Sequence, residues 1–91
     1  MSQTTQFVSI PLAEGIASAR IASTVWGVGG AKIEGGRISF QAGPDLIGAR
    51  YLKRSVIVQD TRKPTPEGYK NAGEIIHGGR RLNVLVELSD A

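Results

Sequence analysis

Ala31-Lys32-Ile33-Glu34-Gly35-Gly36-Arg37-Ile38-Ser39-Phe40 is two alternating apolar and polar stretches joined by a glycine pair. A two-residue type I′ turn needs positive φ at both central positions, and glycine meets that demand without steric cost. Folding the stretch across Gly35-Gly36 sets Glu34 opposite Arg37, Ile33 opposite Ile38, Lys32 opposite Ser39 and Ala31 opposite Phe40. Ala31, Ile33, Ile38 and Phe40 then share an apolar face, with the opposite charges of Glu34 and Arg37 paired beside the turn.

The same arithmetic applies around Gly78-Gly79. Leu82, Val84, Val86 and Leu88 keep strict period two and fall opposite Ile75, Gly73, Asn71 and Tyr69, with Glu87 opposite Lys70. Asn71 is the weak point of this second hairpin, because an amide on the inward face needs partners. The hairpins also resemble each other: Trp26-x3-Gly30-x2-Ile33-x-Gly35-Gly36-Arg37 recurs 43 residues later as Tyr69-x3-Gly73-x2-Ile76-x-Gly78-Gly79-Arg80. Either the chain is internally duplicated with Trp26 and Tyr69 as matched core residues, or glycine hairpins look alike by necessity; the second reading is the simpler.

Between the hairpins, Leu52, Val56 and Val58 hold one strand phase and Tyr51 and Ile57 the other, which suggests a long, bent or two-sided strand. Residues 61–68, Thr-Arg-Lys-Pro-Thr-Pro-Glu-Gly, are expected to be an exposed basic loop, since two prolines remove ladder donors. Gln6 to Ile10 alternates as a short strand that Pro11 places at a sheet edge. Leu12, Ile16, Ala19, Ser23 and Trp26 fall at helical spacing, but Gly15 and the β-branched Thr24-Val25 favour strand from about Ala19 to Val28. Of the 22 Val, Ile and Leu residues 16 are β-branched, which also favours strands. The expected fold is therefore all-β, with six to seven short antiparallel strands in a small sandwich or partly open barrel; the alternative is α+β with one helix near residues 12–23.

At 91 residues and 9.6 kDa the chain fits a single domain over residues 1–91, with residues 1–5 a flexible N-terminus. So small a core is marginal, and with no cysteine to staple it, association into a homo-oligomer is the expected support. No apolar run is long enough to span a membrane as a helix, and the polar start lacks the features of a secretory signal. The expectation is a protein synthesised in the cytoplasm, without a membrane partner.

The chemistry on offer is sparse. His77 is the only histidine and flanks a turn, where it reads as a surface residue: a Ser-His-Asp arrangement has this single candidate base, a Cys-His arrangement has no thiol, and an imidazole metal cluster cannot be assembled within one chain. Glu34, Glu74 and Glu87 are explained by cross-strand partners. Gly27-Val28-Gly29-Gly30-Ala31-Lys32 lacks the Gly-Lys-Ser/Thr order of a phosphate loop and reads as a strand bulge. No catalytic residue, cofactor, metal or small-molecule substrate is expected.

The basic residues say more. Arg50, Lys53, Arg54, Arg62 and Lys63 lie within fourteen residues against one acid, Asp60, a local charge of +4 in a chain of net +3. Arg80 and Arg81 add a second spot, and Tyr51 is the aromatic placed to stack beside Arg50 and Lys53. These eight residues are the candidate contacts to nucleic acid through its phosphates. The leading functional expectation is a non-enzymatic structural subunit that self-assembles through β-sheet contacts and turns this basic surface to nucleic acid or an acidic partner, in the manner of a coat or decoration protein of a virus particle. A nucleic-acid-binding β-barrel acting as monomer or dimer is the alternative, and a small inhibitor or adaptor the third.

Overall fold

The computed structural model describes residues 4–88, which form seven strands and no helix. They are β1 (Thr4–Pro11), β2 (Gly15–Ala22), β3 (Gly27–Glu34), β4 (Arg37–Asp45), β5 (Tyr51–Asp60), β6 (Tyr69–His77) and β7 (Arg80–Glu87). Two antiparallel sheets, β1-β4-β3 and β2-β5-β7-β6, face each other as a small sandwich rather than a closed barrel. Period two decides what lies between them: Val8 and Ile10 from β1, Ile38, Phe40 and Ala42 from β4, Ile21 from β2, Val56 and Val58 from β5, Ile75 from β6, and Leu82, Val84 and Val86 from β7.

Both glycine turns form, with φ of 60° and 75° at Gly35 and Gly36 and the same values at Gly78 and Gly79. Glu34↔Arg37, Ile33↔Ile38 and Lys32↔Ser39 pair as expected. The register then shifts between Gly29 and Lys32, where Gly30 takes φ +66°, so the Gly27–Lys32 segment is a bulged strand. The charges beside the first turn choose other partners than each other: Glu34 pairs with Lys32 at 3.6 Å, and the Arg37 guanidinium donates to Ser9 Oγ on β1 at 2.7 Å.

A bulge between Asn71 and Gly73 corrects the second hairpin beyond Gly73↔Val84. Asn71 falls opposite Leu85 and is exposed, and its Oδ1 accepts the Gly73 N–H at 2.8 Å, so the side chain closes the bulge instead of entering the core. Glu87 falls opposite Tyr69, not Lys70. Trp26 is corrected too: it is 71% exposed and belongs to no core pair with Tyr69. The hairpins share their turns and a bulge each, yet their buried faces are one residue out of phase. Ile38 is buried where its counterpart Arg81 is exposed, and Leu82 is buried where Ser39 is not. That mismatch favours common turn chemistry over a duplicated core.

The helix alternative for residues 12–23 is not adopted. β2 pairs with β5 along its whole length, from Gly15↔Val58 to Ala22↔Tyr51, and eight ladder positions outweigh a weak helical spacing. Nor does strand run on from Ala19 to Val28. The Val25 N–H turns back to the Ala22 carbonyl at 3.1 Å, and Thr24 Oγ1 donates to the Pro44 carbonyl at 2.7 Å while accepting the Leu46 N–H at 3.2 Å. Residues 1–3 of the expected flexible N-terminus lie outside the described residues, whereas Thr4 and Thr5 belong to β1.

Residues 61–68 carry the chain from β5 to β6, which run parallel on either side of β7. The Gln59 side chain, on the outer face, donates to the Pro64 carbonyl at 3.0 Å and holds the crossing to that face. Leu85 lies between Ile57 and Asn71 in the ladders and is 0% exposed although its phase is opposite to that of Val84 and Val86, so this sheet buries an apolar residue on its outer face as well.

Two seams join the sheets. At one, the Gln6 amide bridges to β2, donating to the Arg20 carbonyl at 2.7 Å and accepting the Ala22 N–H at 3.0 Å. At the other, β3 lies against β6 where Gly73 has φ +141°, and a Cβ there would lie 3.0 Å from Ala31 Cβ and 3.2 Å from Ala31 N. Gly73→Ala combines a disfavoured φ with overpacking and is expected to lower unfolding free energy by ~2–4 kcal/mol in urea titration. Gly29→Ala, with open space at its Cβ, is the control and should change it by about 0.5 kcal/mol or less. At the turn, Gly36→Val should destabilise more than Gly36→Asn, since asparagine tolerates positive φ and a β-branched residue does not.

Candidate nucleic-acid interface

The eight sequence candidates separate into three environments. Arg54 leaves the surface: it is 5% exposed, because Val56 and Val58 fix the phase of β5 and Arg54 shares it. Across the ladder stands Ala19, whose small side chain leaves room for the arginine stem, and Arg54 Nη1 donates to the Glu87 carbonyl at 3.3 Å. Glu87 is correspondingly half-buried, its carboxylate accepting the Ser55 N–H at 3.3 Å.

Arg62, Arg80 and Arg81 are surface residues already matched with acids. Asp60 ends β5 in the inward phase; its carboxylate receives Arg62 Nε at 3.0 Å and Arg80 Nη2 at 3.2 Å, and Arg80 also pairs with Glu14. The Arg62 N–H adds a bond to the same carboxylate at 2.9 Å. These bonds, those from Arg62 first and that from Arg80 after them, hold the Asp60 carboxyl well below its ordinary 3.8. Arg81 pairs with Glu74 at 3.0 Å. Each guanidinium has a carboxylate at hand, which leaves less charge for an external phosphate.

The third environment lies where β2 ends and β5 begins. Arg20 and Lys53 are directly opposite in the β2–β5 ladder, two cations side by side on the outer face. Arg50 is exposed one position before β5, its N–H bonded to Ser23 Oγ at 3.2 Å. Among the described residues, none of Arg20, Arg50 and Lys53 makes an ion pair. Asp45, close at hand, is engaged otherwise: Tyr51 Oη donates to its two oxygens at 3.0 and 2.8 Å, which holds the phenol above its ordinary 10.0. Lys63 is exposed on the crossing, away from this end.

Arg20 was not among the sequence candidates. Its place beside Lys53 depends on a pairing between residues 33 positions apart. Trp26 joins the same end: its N–H bonds to the Gly43 carbonyl at 3.2 Å, two residues from the Asp45 that holds Tyr51. The Leu46-Ile47 tip that follows is exposed as well. His77 stays exposed at its turn opposite Arg80, and among the described residues no group of three or more His, Asp or Glu gathers as a metal site would require.

The Asp60 cluster makes a pH prediction. A carboxylate whose folded pKa is depressed contributes stability that is present above the ordinary Asp range and lost as pH falls through the folded value. Asp60→Asn should therefore lower Tm at pH 7, and the gap from the parent should narrow steadily below pH ~4. Thermal melts by circular dichroism across that range would show it; a gap independent of pH would mean that the cluster's charge does not act in folding.

Comparison with protein-family models, with curated proteins and with solved structures finds no match for this chain.

Proposed function

We propose that this chain is a non-enzymatic nucleic-acid-binding protein whose contact surface is the end of the sandwich carrying Arg20, Arg50 and Lys53. The observation that carries the reading is the Arg20–Lys53 pair. Like charges directly opposite on a sheet repel, and pairs of this kind normally alternate in sign or take a nearby acid. Among the described residues neither cation makes an ion pair, while the Asp45 carboxylate at the same end accepts the Tyr51 hydroxyl, so both cations are open to an external anion. A phosphate backbone supplies regularly spaced negative charge, and each cation that meets it releases a condensed counterion.

A second reading rests on the fully exposed Ile47 with Leu46 and Trp26 beside it. Apolar groups gathered at one end suit self-assembly, and a structural subunit of a virus particle, with its basic surface turned to the packaged nucleic acid, unites both features. An adaptor role has no such feature to support it.

Fluorescence anisotropy of labelled oligonucleotides across a salt series tests the first reading. Binding should weaken steeply with salt, and Arg20→Glu and Lys53→Glu should each reduce the salt slope by about 1 or more. Arg62→Glu, at a cation already matched with Asp60, should leave the slope nearly unchanged. No binding at low salt, or equal losses for all three variants, would overturn the assignment of this end. Light scattering at low and high salt separates the second reading, which requires a large particle whose mass survives removal of nucleic acid.

A further inference from the structure

Resting on the phosphate-binding reading, we infer that the nucleic acid is single-stranded and that its bases stack on Trp26 and Tyr51. The two rings are 71% and 48% exposed, in a fold that has a buried place for an aromatic and fills it with Phe40, 1% exposed. Neither ring sits on a loose segment. The Trp26 backbone is bonded to Gly43, the Tyr51 hydroxyl to Asp45, and Thr24 fastens the β2–β3 connection to Pro44 and Leu46. Their two anchor points, the Gly43 carbonyl and the Asp45 carboxylate, lie two residues apart at the end of β4.

Cations flank Tyr51. Arg50 precedes Tyr51 in the chain, and Lys53 lies in the same outward phase of β5 as Tyr51, with Arg20 across from it. A duplex offers phosphates to such a surface but keeps its base faces inside its own stack, so exposed rings gain little from it. A single strand offers both, and alternation of aromatic faces with cations is the chemistry that binds it. The Asp45 bond engages only the hydroxyl of Tyr51 and leaves the ring faces unbonded.

Trp26 is the only tryptophan of the chain, so its fluorescence reports contact at this end directly. The probes are an oligothymidylate longer than the roughly 4–16 nucleotides that such a surface covers, and a duplex of equal length. The single strand should quench Trp26 and bind more tightly than the duplex at equal salt. Trp26→Ala and Tyr51→Ala should each weaken single-strand binding about 5- to 100-fold with little effect on the duplex, and Tyr51→Phe, which keeps the ring, should stay within about 3-fold of the parent. Because both rings are largely outside the core, circular dichroism should report unchanged folding for these variants.

Duplex binding as tight as single-strand binding, with Trp26 emission unmoved and Arg20→Glu and Lys53→Glu still weakening both, would overturn the single-strand inference alone. Binding of neither nucleic acid at low salt would overturn the phosphate reading with it. A Trp26 blue shift on phosphatidylserine vesicles, with no response to oligonucleotide, would overturn both and assign this end to a lipid surface.

Discussion

A strand held between neighbours has one phase available to it, and β5, lying between β2 and β7, has its phase set by Val56 and Val58 at the centre of the core. Everything else along β5 follows by alternation. Arg54 and Asp60 are drawn inward with the valines, and Tyr51, Lys53, Ser55 and Ile57 are turned outward. Slipping the register by one residue would bury Lys53 and Ile57 together and expose both valines, a change no local charge interaction is large enough to drive. The surface of this protein is thus dictated from its interior: Lys53 meets Arg20 because Val56 and Val58, beside Val86 and Val84 of β7, face the sheet that carries Phe40.

The inward-phase charges show how that dictate is accommodated. Arg54 reaches a backbone carbonyl past an alanine, and Asp60 comes to the rim of the core, where Arg62 and Arg80 converge on it. Both answers follow from the expense of leaving a charge desolvated without a partner. The result is a division of the basic residues that composition does not disclose. Around Asp60, Arg62 and Arg80 are matched with a carboxylate; among the described residues Arg20, Arg50 and Lys53, at the other end of β5, make no ion pair. Clustering in sequence brought Arg50, Lys53, Arg54, Arg62 and Lys63 into one group, but a strand separates by face what the chain places side by side.

Much of the fold was legible because it rests on local rules. The glycine pairs named both hairpins, and alternation named the core positions Ile38, Phe40, Val56, Val58, Leu82, Val84 and Val86. Some of the errors occur where a residue is added to one side of a ladder. The bulges at Gly30 and at Asn71–Gly73 carry no signature beyond a glycine, and each displaces the pairing that lies past it. The interface was legible only in part. Arg50, Lys53 and Tyr51 sit in one stretch of chain, but Arg20 and Trp26 arrive through β2–β5 pairing and through the hydrogen bond to Gly43, contacts that no window of sequence contains. Arg54 could have been excluded from the sequence, since it lies two residues from Val56 in the same phase.

The covering of the molecule is uneven. Sheet β2-β5-β7-β6 has apolar residues on both faces, and the crossing of residues 61–68 is tied to its outer face through Gln59. The β1–β2 seam is closed by Gln6 and the β3–β6 seam by the approach of Ala31 to Gly73. At the turn end, charges are matched around Asp60. Phe7, Ile16 and Ile76 stay exposed along the strands, and the end where β2 and β4 finish and β5 starts is uncovered too. Exposed aromatic and apolar side chains cost hydration that folding does not recover. At that end stand Trp26, Tyr51 and the Leu46-Ile47 tip, tied to the end of β4 by hydrogen bonds, with Arg20 and Lys53 set beside each other by the β2–β5 ladder and, among the described residues, outside any ion pair. Rigid support beneath exposed rings and unmatched charge is what a recognition surface needs, because the ordering entropy is spent in folding and not at the moment of contact.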